Sequence, residues 1–285
     1  MEEFGKVYWH EAHHEALQLE LYEFRDVLEF IEEYELSKEA LRMDTLIIKK
    51  LKDVHITKNI GEIFRKYNIV EYKSEKDNFT FWDYQKVLGY AYIFSAFEMV
   101  RIEDMTITIS LTIYPRELFK ILKNDYGFKI RDVGKGIYYV EGAVLPIQVL
   151  ESKKLHEEEN LLLRSLRSNL SSGDMLKVFD VFKHQYKVDD RNVYLDRLSK
   201  ANHDKFKEVF HVFPESMKAI TMDALNNSGW FNVWLERRVD EKLDFKMTEV
   251  ARGMLLSGDS PEKVVNITKL SLDDVQSLVY ELERS

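Results

Sequence analysis

Apolar residues change their spacing several times along this chain, and each change predicts an element. Between residues 8 and 25, His10, His14, Leu17, Leu21 and Phe24 recur at three- and four-residue steps, which predicts a helix. Residues 28–36 read as extended and 41–50 as a strand. Asp53 and Asn59-Ile60-Gly61 punctuate the connection that follows. Residues 62–67 fit either strand or turn, and 68–73 predict a strand that ends in the polar loop Ser74 to Asn78. Residues 81–97 predict a second helix. Residues 105–114 alternate Ile107, Ile109, Leu111 and Ile113, the period of a strand. Pro115 ends that strand, and 116–125 predict a short helix. Residues 136–141 and 144–150 predict a hairpin around Glu141-Gly142. Beyond Glu157 the pattern is helical. The order helix, three strands, helix, strand predicts an α/β fold with a mixed sheet flanked by helices and a helical C-terminal region.

Composition narrows the class. The chain has 285 residues, 45% hydrophobic and 32% charged, enough for a sizeable core. No apolar run approaches the roughly 20 residues that span a bilayer, so no membrane partner is expected. Met1-Glu2-Glu3-Phe4-Gly5 lacks the basic start and apolar core of a signal peptide, and a cytoplasmic location is the expectation. With no Cys, disulfides and cysteine metal sites are excluded. The net charge of −9 argues against strong nonspecific nucleic-acid binding. Lysines and arginines nonetheless cluster in residues 49–76 and 116–135, either as a local basic surface or as two solvated faces.

Candidate chemistry sits at strand ends. Asp44 lies in the apolar run Met43 to Ile48, where a charge is costly unless compensated. Glu71 and Lys73 follow Ile69-Val70 and share one face of their strand. Two carboxylates and a lysine at neighbouring strand ends suit a hard divalent ion, Mg²⁺ or Mn²⁺, and a water beside it. The first helix offers a further carboxylate, Glu15 on a small-residue face or Glu20 beside the apolar stripe, with Glu15 the preferred metal ligand. Tyr84 and Lys86 on the second helix are candidate phosphate contacts. The structural alternative is an edge-strand Asp, an ordinary Glu–Lys pair and packed-helix surface residues. A competing motif, His10-Glu11-Ala12-His13-His14, matches the H-E-x-x-H pattern of zinc peptidases. No third-ligand motif follows it, and a histidine-rich packing helix accounts for the same residues.

The segments Trp9 to Ala12, Leu41-Arg42-Met43-Asp44 and Ile69 to Asp77, with Leu111 to Arg116 and Leu150 to Leu155, resemble bacterial PD-(D/E)xK nuclease-family proteins. These are related to recombination-promoting nucleases and transposase-like proteins. The likeness is best over residues 9–200. It implies a restriction-endonuclease-like core and a metal-dependent DNA endonuclease with Asp44, Glu71 and Lys73 in the family roles. Met43 stands where the motif's name has Pro. DNA is the implied partner, and a double-strand cut would call for a homodimer, although no residue fixes the oligomeric state. The runner-up is a noncatalytic nuclease-like scaffold binding nucleic acid or protein.

The expected organisation is a core over residues 1–155, a helical extension over 156–248 and a small helix-turn-helix-like tail over 249–285. In that tail Ser260-Pro261 predicts a capped helix start, and Leu270-Ser271 opens another helix. Asp273, Asp274, Glu281 and Glu283 make the second helix a poor surface for phosphates, which favours packing or self-association.

Overall fold

The structure, a computed structural model, describes residues 9–32, 46–75, 77–185, 193–225 and 228–283. The chain divides into two compact units, 1–225 and 226–285. The first opens with α1 (Trp9–Glu20) and continues through β1 (Leu28–Ile31), β2 (Leu46–Lys50), β3 (Tyr67–Lys73), α2 (Phe81–Glu98), β4 (Met105–Leu111) and α3 (Arg116–Asn124). It then forms β5 (Lys129–Gly134), β6 (Ile137–Glu141) and β7 (Ile147–Glu151). Five helices complete it: α4 (Glu157–Arg164), α5 (Ser172–Gln185), α6 (Val193–Ala201), α7 (His203–Val212) and α8 (Glu215–Ala224).

The strands form one seven-stranded mixed sheet in the order β1-β2-β3-β4-β7-β6-β5. β3, β4 and β7 run parallel at its centre, and the outer pairings are antiparallel. The expected hairpin is β6–β7. β5 was not foreseen: its positions are mostly exposed and charged, so no apolar alternation marks it. It joins β6 through Lys135-Gly136, both at positive φ (53° and 78°), the conformation a two-residue hairpin loop requires.

One face of the sheet is apolar. Ile47, Ile69, Ile107, Ile109, Leu111, Ile147 and Val149 pack under Val87, Ala91 and Phe94 of α2 and Leu118, Phe119 and Leu122 of α3. The intervening positions of the central strands mix the polar Asn68, Thr106, Thr108, Ser110 and Gln148 with Val70, Tyr72 and Leu150. The Thr/Ile alternation of β4 suggests a half-solvated strand, yet every residue from Met105 to Leu111 is buried. Part of this polar row is satisfied internally, while Ser110 Oγ and Gln148 Oε1 have no hydrogen-bond partner among the described residues. Asn68 Nδ2 donates to the carbonyls of Ile48 (3.0 Å) and Arg65 (2.9 Å), while its Oδ1 accepts from Arg65 N–H at 2.8 Å and from the Thr106 hydroxyl. Gln148 Nε2 donates to Ile60 O and Thr108 Oγ1, both at 2.7 Å. α1 lies against this second face, with the His13 ring stacked on Tyr72 at 4.3 Å.

The second unit holds α9 (Gly229–Leu256), α10 (Pro261–Thr268) and α11 (Leu272–Glu283). α9 is a single helix through residues 248 and 249, and Phe231 meets Trp230 edge-on and Trp234 at a tilt along its first turns. The helix starts predicted in the tail are present: Ser260 Oγ accepts from Lys263 N–H at 3.4 Å, and Ser271 Oγ accepts from Asp274 N–H at 3.1 Å. Ala251, Val264, Val275 and Leu278 form the buried core of these helices. Among the described residues no helix is long and apolar enough to cross a membrane.

Candidate active site at the carboxyl edge of the parallel strands

β3, β4 and β7 end together. Lys73 pairs in register with Leu111, and Leu111 with Glu151, so the three share one edge and one face. The carboxyl ends of parallel strands are where α/β sheets place their ligands.

Glu71 and Lys73 project from β3 on the α2 side, since Tyr72 between them faces α1. Glu71 is buried. Lys73 Nζ lies 3.9 Å from Glu71 Oε1 and 3.8 Å from Asp83 Oδ1. Asp83 was not singled out in the sequence, but its signal is local. Thr80-Phe81-Trp82-Asp83 is a capping box: Thr80 Oγ1 accepts from Asp83 N–H at 3.3 Å, and Asp83 Oδ2 accepts from Thr80 N–H at 2.8 Å. The box that starts α2 thus also anchors it to the end of β3. Burial works against the charge on Asp83. The Thr80 hydroxyl and N–H, with Lys73 and Lys86 nearby, outweigh it and hold the carboxyl below its ordinary value.

Asp44 lies outside the described residues. The first described residue of β2, Leu46, pairs with Val70, the neighbour of Glu71.

The carboxylates of α1 serve other helices. Glu15 Oε2 accepts from the backbone N–H of Tyr194 in the first turn of α6. Glu20 Oε1 accepts from the N–H groups of Leu162 (2.8 Å) and Leu163 (3.4 Å), and Lys58 Nζ sits 2.8 Å from its other oxygen. These N–H groups follow Asn160, where α4 breaks with φ −139° and ψ 42°, so each carboxylate supplies an acceptor that helix starts lack.

The phosphate-contact expectation divides. Tyr84 is 3% exposed and its ring packs in the apolar cluster under α2. Burial pushes its phenol up to about 12. Its ring supplies core volume that helical spacing alone did not distinguish from surface. Lys86 is exposed, with its ammonium 5.3 Å from the centre of the Tyr90 ring. In the H-E-x-x-H segment, Glu11 pairs with Arg197 at 2.8 Å and His10 meets the Tyr72 ring edge-on at 5.6 Å. His14 Nδ1 lies 3.8 Å from Glu32. Among the described residues no three His, Asp or Glu side chains group to hold a metal ion.

Sequence reading also missed Glu151. Its carboxylate accepts from Tyr138 Oη and from Lys154 Nζ, both at 3.0 Å. The register that aligns it with Lys73 depends on long crossovers with no local signal. No protein-family model matches the chain, no curated protein matches its sequence, and no solved structure matches its fold.

Proposed function

We propose that the chain is a divalent-metal-dependent phosphodiesterase that cleaves DNA, built on a restriction-endonuclease-like core. The observation that carries this reading is the Glu71–Lys73 pair on one face of β3, where the strand ends beside its parallel neighbours and opposite the start of β2. The succession α1, β1–β3 antiparallel, α2 and β4 parallel to β3 supports the same core.

Glu71 and Asp44 offer the oxygen ligands that Mg²⁺ or Mn²⁺ prefers, and Mg²⁺ fills its remaining positions with water. The bound ion would polarise a phosphoryl oxygen and lower the pKa of a water. Lys73 holds that water or meets the charge that develops on phosphorus. Asp83 keeps the Lys73 ammonium beside Glu71. The zinc-peptidase alternative gains no support, because Glu11, its would-be base, is engaged by Arg197.

Plasmid cleavage with Mg²⁺, Mn²⁺ or EDTA tests the reading. Wild type should nick DNA only with metal. Asp44→Ala and Lys73→Ala should each lower the rate at least about 100- to 1,000-fold while the circular dichroism stays native. Cleavage that survives both substitutions overturns the assignment. Wild type inert with every metal leaves the noncatalytic scaffold.

A further inference from the structure

The turn after β7 presents a second cation to the same edge, on a frame that is braced from three sides. Glu151 N–H donates to Gly136 O at 2.7 Å, tying the turn to the tip of the β5–β6 hairpin. Gly136 is required there: at φ +78°, a Cβ would lie 2.6 Å from Glu151 O and 2.9 Å from Lys154 Cβ. From the other side Arg164 Nη1 donates to the carbonyls of Lys153 (2.7 Å) and Leu155 (2.8 Å). From beneath, Tyr138 donates to Glu151, whose side chain is only 8% exposed, and Glu151 in turn positions Lys154. The Lys154 side chain itself is 59% exposed. Its ammonium is 5.6 Å from the centre of the Tyr114 ring, a half-exposed aromatic held edge-to-face on Phe119 (5.1 Å) and Tyr138 (5.3 Å). Lys153 pairs with Glu75, in the loop that follows Lys73, and so links the two strand ends.

We propose that Lys154, with Tyr114, is a nucleic-acid-binding subsite: Lys154 takes a backbone phosphate and Tyr114 stacks a base of the same strand. The subsite rests on the phosphodiesterase reading, and it deepens that reading by assigning the strand's path. Lys73 and Glu151 lie two parallel spacings apart, about 10 Å, so one strand can meet both. An exposed aromatic beside a cation is the pairing that grips single strands with little regard to sequence. An ordinary exposed Lys–Glu pair would not need a buried, doubly bonded carboxylate and a glycine-gated turn to hold it.

The test is fluorescence anisotropy of a labelled single-stranded oligonucleotide in EDTA, titrated with the full chain over a series of salt concentrations. Lys154→Gln should weaken binding about tenfold and lower the salt slope by about one phosphate contact. Tyr114→Ala should weaken binding with the slope kept, and Lys154→Arg should retain both. Affinity and slope unchanged in Lys154→Gln overturn the subsite, as does a wild type that binds no oligonucleotide. Because no cleavage is read, a chain that binds through Lys154 but never cuts plasmid keeps the subsite and loses only the catalytic reading.

Discussion

The two faces of the central sheet are equally buried and held by different means. Under α2 and α3, Ile107, Ile109, Ile147 and Val149 are held by area and shape, which are tolerant of changes that keep volume. On the other face, Asn68, Thr108 and Gln148 are held by named donors and acceptors, several from the carbonyls of residues 48, 60 and 65. A buried polar group gains little from its bond but loses much when the partner goes. The apolar face therefore sets how much stability the sheet has. The polar face sets which loops lie on it.

Substitutions of similar volume should separate the two. Asn68→Leu removes the side-chain hydrogen bonds to the Ile48 and Arg65 carbonyls and to the Arg65 N–H, and should cost about 3 kcal/mol in urea denaturation. Ile109→Leu, the matching change on the apolar face, should cost less than about 1.5 kcal/mol. Equal losses would erase the distinction.

A smaller effect concerns pH and belongs to the α1 side. His13 is buried, and neither ring nitrogen has a hydrogen-bond partner among the described residues. Burial, and then the neighbouring His14 and His10, hold its pKa well below 6.5. The unfolded chain therefore binds a proton that the folded chain refuses. The stability contribution is full above pH 6.5 and declines as pH falls toward the folded pKa, by about 1 kcal/mol per pH unit. His13→Phe keeps a ring on Tyr72 and should flatten this slope in denaturation curves between pH 7 and 5. An unaltered slope would assign the acid sensitivity elsewhere.

Legibility followed the range of the interactions. The start of α2 is written in Thr80 to Asp83, and the tail helices in Ser260-Pro261 and Ser271, because capping is local. Glu71 and Lys73 were readable as a pair because a strand repeats every two residues. The fates of Glu15 and Glu20 were not, since the N–H groups they bind lie 179 and 142 residues away. Tyr84 has the same neighbours in sequence whether it faces core or solvent. β5 hid behind charges suited to an outer strand, although Gly134-Lys135-Gly136 carried its turn. Asp44 lies outside the described residues.

The parallel centre of the sheet also sets when the edge can exist. β5, β6 and β7 pair as neighbours in sequence, whereas β3 meets β4 only across α2, and β4 meets β7 only across α3 and the β5–β6 hairpin. Such seams close a long loop before any contact rewards them, so they are expected to close late in folding. Lys73 and Glu151 come into line only once both seams are zipped. A chain caught half-made, with either seam open, carries every residue of the edge and lacks the edge itself.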